Sequence, residues 1–313
     1  MIASLLDEVR VIDSGPLSAL SQISDLMDAD NAVNDNCHPI IHRLGRAAYR
    51  EFGVESAFAG ILGTNNDILL RLCNGAYLHG VIETHLKEVD DPVEAALELD
   101  KNVCVPLHGV PKGMWECQHS IGHGFIQKIR NERDQQTIVD AIHICRRNKG
   151  FDIQLTMSCE NGVWMNCFAA SRFEGAFSFD MSSSSPSLEL CVNSDIDAFV
   201  PGDCALYAAT EYLLHQPKDY EGAIQWCLAD DNYLQKYCVE GVGMQTAKEN
   251  LRDYQILEKA CLTAPKSYQP DCIKEGFMYQ SFSTGESKMP QDLCNQVPHF
   301  MDDCLAFDGS TIN

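Results

Sequence analysis

Three short runs concentrate the residues that could do chemistry: Cys37-His-Pro-Ile-Ile-His42, Cys73-Asn-Gly-Ala-Tyr-Leu-His-Gly80 and Cys117-Gln-His-Ser-Ile-Gly-His-Gly124. Each opens with a cysteine and reaches a histidine five or six residues later, and together they hold five of the ten histidines, His38, His42, His79, His119 and His123. Neutral imidazole is a ligand for zinc, copper, iron or nickel. His38 and His42, and again His119 and His123, stand at i and i+4, which on a helix puts both rings on one face within reach of one ion. An open zinc site takes three protein ligands and a water whose pKa falls to about 7. One histidine from each run gives His42, His79 and His123 as the expected ligand set. His119 is a fourth ligand or an orienting neighbour, and His38 stands at the margin. Zinc is the leading ion, with copper or iron compatible with the same donors. Glu83, one helical turn after His79, can orient a ligand or accept a proton from bound water, and reads equally well as a solvated glutamate. His85 and His143 have no echo in the other phrases and read as surface histidines. The chain has no CxxCH, P-loop, GxSxG or HExxH, so haem attachment, nucleotide and those hydrolytic chemistries have no footing.

The elements that must position these residues come from a repeat. Six cysteine pairs are separated by 9 to 13 intervening residues: Cys104 with Cys117, Cys145 with Cys159, Cys191 with Cys204, Cys227 with Cys238, Cys261 with Cys272 and Cys294 with Cys304. The second member of several pairs opens a similar phrase, as in Cys159-Glu-Asn-Gly-Val-Trp-Met and Cys238-Val-Glu-Gly-Val-Gly-Met. From Cys73 the phrase recurs in steps of 32 to 45 residues, the period of stacked helical hairpins. Between the phrases, apolar residues return every three or four positions, as in Thr137-Ile-Val-Asp-Ala-Ile-His-Ile-Cys, and alternating strand patterns are scarce. The expected fold is all-α: helical hairpins stapled by disulfides and stacked as an α-solenoid of the TPR or Sel1 kind. Twelve buried free thiols are the competing reading, and regular pairing in every repeat disfavours it. Of the three remaining cysteines, Cys37 and Cys73 can join the first helix to the next repeat. That leaves Cys167 free, in a run with no obvious activating neighbour.

The repeat also compares its own copies. Six positions past the phrase cysteine stand His79 and His123, but Met165, Met244 and Met278 in later copies. One slot therefore holds a core-type residue in three repeats and imidazole in two. The glycines after His79 and His123 allow close approach by a backbone or a ligand. The Ser-rich stretch 179–187 separates histidine-rich repeats over 1–180 from repeats over 188–313 that continue the same solenoid. The tail after Cys304 reads as frayed.

With 45 acidic against 23 basic residues the net charge is -22, which repels nucleic acid and anionic membrane surfaces over most of the molecule. No apolar run approaches the roughly 18 residues of a membrane span. The first residues lack the basic and apolar regions of a signal peptide. Paired cysteines imply an oxidising compartment: secreted, periplasmic or an organelle lumen.

The phrases CHPIIH, CNGAYLHG and CQHSIGHG resemble the Cys-Gly-His-rich domain of theta-class carbonic anhydrases, known from the thylakoid lumen of diatoms and related algae. The resemblance covers roughly residues 37–170. It implies a zinc lyase in which zinc hydroxide attacks carbon dioxide to give bicarbonate, with His42, His79 and His123 as ligands and a lumenal address. The repeats from about 188 carry methionine where the histidines stand, which makes them scaffold, a degenerate copy or a docking surface for a protein partner. Two other classes remain beside the enzyme: a copper-binding carrier using imidazole and thioether, and a non-catalytic scaffold binding a partner on its concave face.

Overall fold

The computed structural model describes residues 11–30, 33, 37–59, 61–62, 72–109, 113–129, 135–147, 153–169, 188, 191, 201–229, 233–250, 253–284 and 288–309. Among them there are helices and no strand. The chain divides into two compact units, Met1–Asn166 and Cys167–Asn313. The stretch 179–187 lies outside the described residues.

In the first unit, α1 (Val11–Ala29), α2 (Cys37–Phe58), α3 (Ala76–Glu88), α4 (Pro92–Leu99), α5 (Gly113–Ile129) and α6 (Gln135–Arg147) follow in order, and α7 (Ile153–Ala169) begins there. Helix α3 packs between α2 and α5. Its Tyr77, Leu78 and Ile82 are buried, as are Ile41 and Leu44 of α2 and Phe125 of α5. Burial of each such side chain contributes about 1.5–3 kcal/mol. Asp91 caps α4 by accepting from the Val93 and Glu94 amides, and Pro92 supplies the first helical φ without a wasted donor.

Glycine sets how closely these helices approach. A Cβ at Gly80 of α3 would overlap the His42 carbonyl oxygen of α2, and one at Gly122 of α5 would overlap the Cys159 carbonyl of α7. The glycine after His79 thus admits a neighbouring backbone rather than a ligand.

The second unit repeats this plan. Helices α8 (Pro201–His215), α9 (Tyr220–Cys227), α10 (Gln235–Glu249), α11 (Tyr254–Leu262) and α12 (Gln269–Thr284) precede the short α13 (Gln291–Cys294) and α14 (Met301–Ala306). Helix α10 packs between α8 and α12. Its Gly241 and Gly243 face the Leu206 and Cys272 carbonyls. Residues just past Cys304 are packed rather than frayed: Phe307 is buried with its ring 6.0 Å from that of Phe277.

All seven expected disulfides form: Cys37–Cys73, Cys104–Cys117, Cys145–Cys159, Cys191–Cys204, Cys227–Cys238, Cys261–Cys272 and Cys294–Cys304. Cys167 is a buried free thiol. Seven bridges suggest folding in an oxidising compartment. No helix among the described residues is long and apolar enough to cross a membrane.

The Glu275 carboxyl opposes folding at neutral pH. Burial, and then the like charges of Glu240 and Asp203, push Glu275 of α12 up to about 7. Because this folded-state pKa lies above the unfolded one, the folded unit holds the proton more tightly, and stability falls as pH rises from about 4.5 through 7. Glu275→Gln should therefore raise the melting midpoint at pH 8, by about 2–4 °C for each kcal/mol relieved, and lose the advantage near pH 4. Thermal melts at the two pH values check this. An equal shift at both would show that the charge is not the cause.

Candidate metal centre

The site is built on α2, α3 and α5. The chain enters α3 through Cys73, Asn74 and Gly75, three consecutive residues with φ of 54°, 57° and 65°. Left-handed conformations cost about 1–3 kcal/mol each at non-glycine positions and persist where surroundings over-determine them. Here the determinants are visible. Cys73 is bridged to Cys37, and its carbonyl accepts from His38 Nδ1 at 2.7 Å. A Cβ at Gly75 would press on the Glu116 side chain. This turn fixes where α3 starts, and so where His79 and Glu83 point.

His79, His119 and His123 form a buried group whose ligand nitrogens all lie within 4.8 Å of one another. They are 1%, 4% and 5% exposed. His119 Nε2 is 3.0 Å from His123 Nε2, and the His79 and His123 rings stack with centroids 4.6 Å apart. Two nitrogens held at about 2.0–2.1 Å on a tetrahedral zinc would stand about 3.4 Å apart, so the His119–His123 pair already has nearly the spacing required. Three imidazoles crowded out of water are otherwise poor neighbours. Burial, then the nearness of His123 and His79, holds His119 well below the usual histidine range. It is therefore neutral, the form that binds a cation.

Glu83 of α3 lies beneath this group, 4% exposed. His123 Nδ1 donates to its Oε1 at 2.7 Å, while His42 Nε2 stands 3.1 Å and Arg46 Nη2 3.7 Å from its Oε2. Burial by itself would raise the carboxyl, but His42 and His123 outweigh it and hold Glu83 well below the usual carboxylate range. A carboxylate on Nδ1 leaves the Nε2 lone pair of His123 for a metal, the tautomer a ligating histidine uses.

The structure thus gathers His79 and His123 with His119, where the sequence favoured His42 as the third ligand. His42 turns to Glu83 instead, with its ring centroid 6.2 Å from that of His79. The reason is helix rotation: α2 presents His42 to the far oxygen of Glu83, whereas His119 shares the inner face of α5 with His123. His38 sits 5.4 Å, ring to ring, from His79 and is half-buried. His85, expected at the surface, is half-buried beside Tyr49, and burial lowers its pKa.

Three neighbours escaped the sequence reading. Met165 places Sδ 3.1 Å from His119 Nε2. Its position in the repeat slot of His79 and His123 was the available signal. Glu116 Oε2 lies 3.7 Å from His79 Nε2. Arg46 completes the charge around Glu83, and no local pattern announces either residue.

Three imidazoles, one of them oriented by a buried carboxylate, and a nearby thioether can together hold a transition-metal ion. Comparison of the chain with family models, with characterised proteins and with solved structures finds no match, so the assignment of this centre stands on its own geometry.

Proposed function

We propose that the unit Met1–Asn166 is a zinc enzyme that hydrates carbon dioxide to bicarbonate, its ion held by His79, His119 and His123. The observation that carries the metal is the buried imidazole trio within 4.8 Å, one member of it oriented by a carboxylate. The reaction rests on the resemblance of the three cysteine–histidine phrases to theta-class carbonic anhydrases. When bound, zinc would supply Lewis acidity sufficient to make water a nucleophile near pH 7. The remaining work belongs to the chain. Glu83 is a positioning residue: with both oxygens engaged, it fixes the tautomer and plane of His123. His42 and His123 keep Glu83 ionised. The packing of α3 against α2 and α5 keeps bulk water from the trio. The parallel glycine contacts of the two units support an α-solenoid in which the second unit is scaffold or docking surface.

Elemental analysis of protein made in an oxidising compartment should return one zinc per chain. Stopped-flow hydration should fall in His79→Ala, His119→Ala and His123→Ala by more than the roughly 10–100-fold that loss of an orienting partner costs. A metal-free protein, or full activity in all three variants, overturns the reading.

Met165 favours a second reading. A thioether 3.1 Å from a ligand nitrogen offers a soft donor, which suits Cu(I) better than zinc. Tight copper binding without turnover, weakened in Met165→Leu, would decide for a copper-binding protein.

A further inference from the structure

We propose that His38 and His42 form an outer metal-binding station from which a transition-metal ion passes inward to His79, His119 and His123. This rests on the metal-site reading above and adds a route to it. The trio is almost closed to water, at 1–5% exposed, so an ion needs a path inward. Along the histidine cluster burial is graded: His38 is half-buried, the His42 side chain is 12% exposed, and His79 is 1% exposed. The rings follow one another at stepping distance. The His38 and His42 centroids are 6.1 Å apart and lie 5.4 Å and 6.2 Å from His79, which in turn lies 4.6 Å from His123.

The His38 ring is positioned as a ligand. His38 Nδ1–H donates to the Cys73 carbonyl at 2.7 Å, which puts the ring's lone pair on Nε2. The partner carbonyl is itself fixed by the Cys37–Cys73 bridge and the left-handed turn. His38 is thus held as a metal-ligating histidine is held, although it lies outside the buried trio. His42 is tied to the interior through Glu83, whose other oxygen accepts from His123. The net charge of -22 adds a general attraction for cations. An ion captured at the outer pair meets the inner nitrogens at a high effective concentration, which shortens loading without changing the final site.

The test uses the full-length, disulfide-intact protein stripped of metal by a chelator, with Co2+ as an absorbing probe and Zn2+ measured by elemental analysis. His38→Gln, confirmed as folded by circular dichroism, should slow growth of the Co2+ absorbance by about tenfold or more while saturating at the wild-type stoichiometry, and His42→Gln should slow it as well. The amide introduced by His38→Gln keeps a donor for the Cys73 carbonyl, so a loss of rate there reports the missing ligand and not a loosened turn. His85→Gln, which removes a histidine beside Tyr49 and outside this cluster, should leave the rate unchanged. Wild-type loading rates in both outer-station variants, or equal slowing in His85→Gln, overturn this proposal and leave the trio standing. A wild-type protein that takes up neither ion overturns both.

Discussion

Reduction under native conditions should unfold the protein and, where the proposed centre has been loaded with metal, release the ion. Six of its seven disulfides join residues 10 to 14 apart and the seventh spans 36. A closed loop of about 15 residues stabilises by roughly 3 kcal/mol through the unfolded chain, so the set together exceeds the roughly 5–15 kcal/mol by which ordinary domains are stable. The bridges also stand where the chemistry begins. Cys73 opens the turn into α3, and Cys117 and Cys159 lie in the first two turns of α5 and α7. A phosphine reductant should therefore collapse the helical circular dichroism signal and elute the metal, without offering new thiol ligands of its own. A reduced protein that melts cooperatively at the oxidised midpoint would show that helix packing suffices.

Glu83→Ala should be the most damaging single change at the site. The side chain is 4% exposed and faces His42, His123 and Arg46. Removing one partner of a buried ion pair costs about 3–5 kcal/mol, because the remaining groups keep their desolvation without their compensation. Loss of a carboxylate that orients a ligating histidine costs a further 10–100-fold or so in metal affinity. Glu83→Gln retains the size and one acceptor, so its destabilisation should be smaller while much of the affinity loss remains. Chemical denaturation of the metal-free variants, paired with metal competition titrations, separates the two effects. Equal stability in wild type and Glu83→Ala would place His42 and His123 in contacts that do not depend on Glu83.

The disulfide pattern was legible because covalent pairing follows local spacing: each short loop closes between the end of one helix and the start of the next. The histidines were legible because the repeat aligns them. The choice between His42 and His119 was not. Both belong to i, i+4 pairs, and only the rotation of α2 against α3 turns His42 toward Glu83. Met165 shows the opposite case. Its alignment with His79 and His123 marked the slot, yet a methionine there reads as core until its sulfur is seen beside His119 Nε2. Glu83 was visible as the residue one turn after His79, but its role comes from partners on two other helices, which periodicity within one helix cannot supply.

The glycine crossings carry a consequence for change over time. Where backbone rests on backbone, as at Gly80 on His42 and Gly122 on Cys159, no side-chain volume sets the gap between helices. Residues facing the gap can then be exchanged while its width holds, so imidazole and thioether become interchangeable tenants of one rigid frame. Grafting histidines into the methionine slots at 244 and 278 would ask whether the frame accepts a second centre.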